Sequence, residues 1–396
     1  THNAIDELRL VAAGGTVPPP LSDSPKCPRC SLVAICLPDE VNFLLHENVQ
    51  PRPLAVGRDE AMPVYVQARH AKVAKSGDTL EVSIEDKTTA TARLAEGSQV
   101  VLMGNVYLTT PTLHALMERE ITVSWHSHGG WFIGHTVGTG HKNVELRTAQ
   151  YRASFDEGRC LRIARGLVVA KIQNSRTLLR RNWKEGSAPE SLLEEFKQDI
   201  DQARRVSSIV ELLGVEGNAA ARYFRHFKKM LASPGDAASF AFDFERRNRR
   251  PPNDPVNALL SFAYALLTRA WTVNLSAVGF DPYRGYYHKP RYGRPALSLD
   301  LMEPFRPLIA DSSVIQSINN GEIKPSDFVS VAGSVALDGD GRKRFISAFE
   351  RRLGHEVTHP LFGYRLSYRR LLELQARLFG RYLLGELDDY PNFVTR

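Results

Sequence analysis

Along this chain the apolar residues change their spacing twice. Between Pro63 and Trp125 they fall in short runs rich in β-branched residues, Pro63–Val73, Thr79–Ile84, Gln99–Met103 and Ile121–Trp125, parted by turn signals such as Ser76-Gly77-Asp78. That pattern predicts a small β-domain that ends near Gly140, assigned residues 62–143. From about Val144 the apolar positions recur at helix spacing, most clearly around Ser191–Leu213, Ala219–Ala232, Val256–Trp271 and Tyr368–Leu384. They predict a larger all-α domain over residues 144–396. One helix start is marked closely: Asp254 stands as N-cap and Pro255 at the first helical position, where its missing N–H does no harm. Ahead of both domains, Thr1–Ala61 carries Pro18, Pro19, Pro20, Pro25, Pro28, Pro38, Pro51 and Pro53, and reads as a short helix followed by extended chain. The predicted class is α+β: a cysteine-bearing tail (1–40), a linker (41–61), a β-domain and a helical domain.

Composition narrows the function classes. With 396 residues, 43% of them hydrophobic and 24% charged, the chain falls in the globular range and is long enough for two or three domains. The longest apolar run, Ala258–Leu267, is too short to span a bilayer, and the first residues lack the basic-then-apolar order of a signal peptide, so no membrane role is expected. Thr1 in place of an initiator methionine hints at the lower part of a longer polypeptide. The net charge of +7 is unevenly placed: residues 1–61 carry five basic against eight acidic side chains, the remainder 46 against 36. A basic body of that size suits a polyanion, although solubility alone also accounts for a modest excess. No glycine-rich phosphate loop precedes a helix, which argues against nucleotide-driven chemistry. Of four cysteines, three are packed together at Cys27, Cys30 and Cys36, a pattern of metal binding rather than of a disulfide framework, and one that fits a reducing, cytoplasmic setting.

Three stretches could carry chemistry. Gly279–Arg306, GFDPYRGYYHKPRYGRPALSLDLMEPFR, sets His288, Asp300 and Glu303 among Arg284, Lys289, Arg291 and Arg294. Carboxylates in a basic, aromatic surface are what phosphodiester chemistry needs, because a cation must neutralise developing charge and polarise the nucleophile. Asp300 and Glu303 also have the spacing of a helix capping box, and a lone loop histidine is more often satisfied by its neighbours than bound to metal. Leu213–Phe224, LGVEGNAAARYF, places Glu216 at the head of an amphipathic run, where by itself it reads as a helix-start carboxylate. Arg246–Leu260, RRNRRPPNDPVNALL, sets Arg246, Arg247, Arg249 and Arg250 against two prolines ahead of a buried helix, which suits phosphate contacts or simply a solvated charge run.

In order and approximate spacing these stretches resemble the signature regions of the CRISPR-associated spacer-acquisition integrases, over roughly Pro63 to the C-terminus. The resemblance implies metal binding by Glu216, His288 and Glu303, with Asp300 as a neighbouring carboxylate in the same site. One imidazole with hard oxygen donors and no thiolate favours Mn²⁺ or Mg²⁺ over Zn²⁺. It further implies insertion of prespacer DNA into a CRISPR repeat by direct attack of a 3′-hydroxyl, a homodimer, double-stranded DNA as substrate and a small second adaptation protein as partner. Arg246, Arg247, Arg249, Arg250, Lys289, Arg291 and Arg294 are the candidates for holding the DNA backbone. The competing readings are a non-catalytic DNA-binding scaffold and a metal-dependent endonuclease acting on branched DNA.

Cys27, Cys30 and Cys36 form C-x2-C-x5-C within KCPRCSLVAIC, one thiolate short of a closed site. The segment resembles the C-terminal end of the CRISPR-associated iron-sulfur exonuclease, where three late cysteines join a distant early one around a [4Fe-4S] cluster. The fourth ligand and the nuclease carboxylates would lie before Thr1, and the fused nuclease would process prespacers. Zinc, or a metal-free tail, are the alternatives. The histidines of Trp125-His126-Ser127-His128, with His135 and His141, read as polar turn and strand surface, and Tyr364–Gly385 as a basic amphipathic helix with one packed face.

Overall fold

The computed structural model describes residues 2–14, 18–45, 50–53, 62–130, 132–136, 138, 143–184, 186–232, 242, 244–248 and 251–395. The β-rich runs form one six-stranded sheet from β1 (Met62–Ser76), β2 (Thr79–Ile84), β3 (Lys87–Arg93), β4 (Gly97–Leu108), β5 (Thr122–His126) and β6 (Phe132–Thr136), in the order β3-β2-β1-β4-β5-β6. The outer pairs are antiparallel, while β1 runs parallel to β4 and β4 parallel to β5. The turn at Gly77-Asp78 joins β1 to β2 as its residues predict. The expected end near Gly140 lies outside the described residues.

Central strand β4 shows why Gln99–Met103 reads as a continuous apolar run. Val100 and Leu102 face a cluster with Leu116 of α4 (Thr110–Glu118), while Val101 and Met103 join the core of the helical domain. A strand covered on both faces needs apolar residues at every position. The β1–β4 pairing slips between Gln67 and His70. There Gly104, at φ +107°, comes so near Ala68 that a Cβ would stand 2.0 Å from its carbonyl oxygen, so only glycine fits this irregular register.

The helical half contains α5 (Val144–Ser154), α6 (Glu157–Asn182), α7 (Glu190–Arg205), α8 (Ile209–Arg225), α9 (Pro255–Val278), α10 (Ala296–Leu301), α11 (Ser312–Asn319), α12 (Gly339–Gly354) and α13 (Tyr368–Leu383). It also carries two short antiparallel ribbons that the apolar pattern did not give, β7 (Phe328–Val331) with β8 (Ser334–Leu337) and β9 (Glu356–Thr358) with β10 (Arg365–Ser367). The α9 start stands as expected: Asp254 accepts the Asn257 amide at 2.8 Å. The stretch Ser191–Leu213, by contrast, is two helices. Ser208 caps α8 by accepting the Glu211 amide at 3.2 Å, and Glu211 in turn accepts the Ser207 amide at 2.8 Å. Polar side chains here satisfy the orphan amides of a helix start and end the preceding helix at Arg205. Glu216 therefore sits in the middle of α8, not at a helix start.

Sheet and helices meet over a buried polar cluster. Arg269 of α9 donates to the Tyr65 hydroxyl at 2.7 Å, Tyr65 donates to Glu350, and Arg369 reaches Glu350 at 2.6 Å. His126 belongs to this junction and is only 3% exposed, so it is not strand surface; its Nδ1 lies 3.3 Å from the Gly130 carbonyl, and burial holds its pKa down at about 4. His141 lies outside the described residues.

The N-terminal segment is less extended than its prolines suggest. After α1 (His2–Ala13) come α2 (Val33–Cys36) and α3 (Pro38–Leu44), and α3 crosses the expected boundary between tail and linker. Leu37 and Val41 are buried in the helical core, Tyr364 donates to Glu40 at 2.8 Å, and Arg381 of α13 holds the Cys36 carbonyl at 2.9 Å.

Candidate functional site

The loop from α9 to α10 is folded around one carboxylate. Asp300, fully buried, accepts the backbone amides of Tyr286 (2.6 Å), Tyr287 (3.0 Å) and His288 (2.8 Å) and the His288 Nδ1 at 2.8 Å. The loop passes so close that a Cβ on Gly285 would lie 2.7 Å from Asp300 Oδ2. With both oxygens occupied by four donors, Asp300 fixes the loop and the tautomer of His288, leaving Nε2 as the free ring atom. No capping box forms: Asp300 lies inside α10, and the Glu303 amide bonds the Asp300 carbonyl instead.

His288 Nε2 lies 3.8 Å from Glu303 Oε1. Glu303, 3% exposed, follows α10 just ahead of a π-helical turn at Arg306–Asp311. π-turns often mark functional positions because the widened turn re-aims side chains. Asn174 of α6 secures the turn, donating to the carbonyls of Pro304 (2.9 Å) and Phe393 (3.0 Å) while accepting the Thr395 amide (2.9 Å).

Lys171, also on α6, brings the third expected residue into the site. Its ammonium donates to Glu216 of α8 and stands 2.7 Å from Glu303 Oε2. The second contact is a close ion pair with a buried carboxylate. Arg306 reaches Glu303 Oε1 at 3.1 Å while its guanidinium lies 4.6 Å from the Tyr264 ring centroid. Burial opposes ionisation of Glu303, but the charges of Arg306 and Lys171 outweigh it and hold the carboxyl at about 2. Lys171 is the converse: burial favours its neutral form, yet Glu303 and Glu216 raise its pKa and keep it charged.

Glu216, His288, Glu303 and Asp300 are thus brought together from three separate segments. Among the described residues no three His, Cys, Asp or Glu side chains close on a common point as a finished metal cage. The donor set nevertheless suits a hard divalent cation. Glu216 and Glu303 converge on one positive charge, and the buried Tyr287 hydroxyl beside them has no hydrogen-bond partner among the described residues. Two carboxylates and one imidazole are ligands for Mn²⁺ or Mg²⁺.

The expected DNA-contacting residues divide. Lys289 and Arg291 are exposed and Arg294 half-buried, on a tight turn beside His288 whose tip is the fully exposed Tyr292. Arg246 is exposed. Arg247 is turned inward, donating to Asn257 Oδ1 at 2.6 Å and Ser261 Oγ at 3.1 Å with its guanidinium 5.5 Å from the Tyr264 ring; it anchors its loop to α9. Arg249 and Arg250 lie outside the described residues. Arg284 is likewise spent on structure, bonding Ser154 at 2.7 Å. Lys171 and Asn174 had no signal in the sequence, since each lies more than 40 residues from its partners; Arg306 ended the quoted stretch without being singled out.

Cys27, Cys30 and Cys36 are free thiols. Burial, together with the nearby Cys27 and Cys30, raises the Cys36 pKa. Cys160 sits apart on α6 with its Sγ 3.7 Å from the Ala153 carbonyl. The three clustered cysteines occupy one stretch without closing on a common point.

The family described as CRISPR associated protein Cas1 matches residues 64–351. A CRISPR-associated exonuclease Cas4/endonuclease Cas1 fusion of Geobacter sulfurreducens is 61% identical over 400 residues, covering all of this chain and 71% of its own length. Among solved structures, a casposase bound to integration product has a TM-score of 0.72 at 22% identity, over 84% of this chain and 94% of that one. A Cas6-RT-Cas1–Cas2 complex has a TM-score of 0.68 at 24% identity, over 85% of this chain and 36% of that one. At these identities the structural likeness speaks for the fold.

Proposed function

Since the chain belongs to the CRISPR-associated Cas1 family, with a Cas4-derived N-terminal part, we propose that it is a divalent-metal-dependent DNA integrase that inserts prespacer DNA into a CRISPR array by 3′-hydroxyl attack on repeat-end phosphodiesters. The observation that carries this reading is the convergence of Glu216 and Glu303 on one cationic position, with the Nε2 of His288 turned toward Glu303. These three side chains would hold Mn²⁺ or Mg²⁺, and the ion would supply charge neutralisation at the phosphorane and polarisation of the attacking hydroxyl.

The chain's own residues do the rest. Asp300 fixes the ring of His288 so that Nε2 is the ligand atom. Arg306, held by Tyr264, keeps Glu303 ionised. Lys289, Arg291 and Arg294 offer cations to the phosphates flanking the reacting bond, and Arg246 a further one, while Tyr292 offers an exposed ring for stacking. No protein nucleophile and no nucleotide hydrolysis enter the reaction.

The reading includes a homodimer, because two sites suit two staggered strand transfers, and a small second adaptation protein of the kind that stands with Cas1 in the Cas1–Cas2 complex. The casposase bound to integration product lends the same fold to strand transfer. No helix among the described residues is long and apolar enough to cross a membrane. The clustered free thiols Cys27, Cys30 and Cys36 suit a reducing compartment, and on that ground we place the activity in the cytoplasm. In the complete fusion, Cys27, Cys30 and Cys36 would furnish three ligands of a [4Fe-4S] cluster, tethering prespacer processing to integration.

The test is incorporation of a labelled short duplex into a supercoiled plasmid bearing a repeat, with Mn²⁺ or Mg²⁺ and the small partner. Joined product from a 3′-hydroxyl donor and none from a 3′-deoxy donor is expected. Plasmid nicking that ignores the donor end would turn the reading toward a metal-dependent endonuclease.

A further inference from the structure

Lys171 carries an inference that neither the family nor the motifs supply. Its ammonium lies between Glu216 and Glu303, the two carboxylates proposed above as metal ligands, and contacts both. The two acids come from different helical segments, and the Lys171 ammonium bridges them. Without a cation between them, two half-buried to buried carboxylates would repel and separate. The backbone around Lys171 is fixed: Ala170 and Ile172 are buried, and Asn174, one turn on, ties α6 to the Pro304 carbonyl beside Glu303. Arg306, the other cation on Glu303, is pinned over Tyr264. The lysine side chain reaches the site through four methylenes and is anchored at its end by the two carboxylates, contacts that a competing cation would replace.

We propose that Lys171 is a built-in counter-cation of the metal site, a positioning residue that holds Glu216 and Glu303 convergent and that the incoming divalent ion must displace from their oxygens. This rests on the metal reading of the site. A monovalent charge and a divalent one cannot share the same carboxylate oxygens at contact distance without strong repulsion, so the ammonium lowers metal affinity while it preserves the geometry that receives the metal. A lysine that only contacted DNA phosphate would instead leave metal affinity unchanged, and one that only filled space would be replaceable by an apolar chain of similar volume with no effect on either.

The experiment is Mn²⁺ titration of the full chain, without DNA, read from the free Mn²⁺ paramagnetic resonance signal, for wild type, Lys171→Met and Lys171→Arg. Lys171→Met is expected to bind Mn²⁺ about tenfold more tightly, whereas Lys171→Arg, which keeps the charge, stays close to wild type. In the same preparations, Lys171→Met melts below wild type with EDTA present, and the gap closes in saturating Mn²⁺. Equal or weaker Mn²⁺ binding by a folded Lys171→Met, or equal tightening in Lys171→Arg, overturns the proposal. If Lys171→Met does not fold, Lys171→Gln takes its place with the same expectation. Failure of wild type itself to bind Mn²⁺ overturns the metal reading as well, and so separates the two failures.

Discussion

The imidazole of His288 and the carboxylate of Asp300 are joined at 2.8 Å, and the same Asp300 oxygen also accepts the His288 amide at 2.8 Å. Ring and backbone of one residue are thereby locked by a single buried acid. Asp300→Asn keeps the size of the side chain but replaces one acceptor oxygen with an NH₂ group facing amide donors. Expected are a stability loss of about 2–4 kcal/mol in urea unfolding and a fall in metal affinity of about 10–100-fold. Unchanged Mn²⁺ binding in a folded Asp300→Asn protein would remove Asp300 from this role.

Asn174 does for the Glu303 segment what Asp300 does for the histidine loop. Asn174→Ala leaves the carbonyls of Pro304 and Phe393 without donors and the Thr395 amide without its acceptor. A loss of about 1–3 kcal/mol is expected, with strand transfer falling more than DNA binding. Equal loss of both would indicate general unfolding rather than displacement of Glu303.

Stability should depend on His359. It is 1% exposed, stacked on Phe362 at 4.2 Å, its Nδ1 accepts the Leu361 and Phe362 amides, and burial holds its pKa down at about 4. The unfolded chain, titrating near the ordinary 6.5, binds the proton more readily, so the contribution is present above about pH 6.5 and lost as pH falls toward 4. Denaturation midpoints should drop across that window, and His359→Phe should flatten the slope relative to wild type. Parallel slopes for the two proteins would contradict the assignment.

The cysteine-bearing segment should be part of the folded body. Leu37 is fully buried in the helical core, so Leu37→Ala is expected to cost about 2–5 kcal/mol, and the amides of α3 should exchange as slowly as those of α13. A cost under about 0.5 kcal/mol would describe a loose tail instead.

Much of this was legible in the chain. The α9 start could be read because Asp254 and Pro255 act locally, and the sheet because β4 is apolar on both faces. Glu216 was identifiable as a residue but not in its place: the helix containing it begins at Ser208, whose cap is a local signal overridden in the reading by the apolar periodicity running through it. Arg247 looked like a phosphate ligand because sequence shows charge but not the Asn257 and Ser261 acceptors that a fold sets opposite it. Lys171 was illegible for a simpler reason. Its partners lie on other segments, and an isolated lysine in a long helix is ordinarily a solvated one.

The most direct test of the central claim is strand transfer by His288→Ala, measured beside its DNA affinity in the same buffer. The expected result is loss of joined product with Mn²⁺ or Mg²⁺ while duplex binding, which the proposal assigns to the basic turn, stays within about threefold of wild type. Joined product at the wild-type level would contradict the account, leaving a DNA-binding scaffold in place of an integrase site built from Glu216, His288 and Glu303.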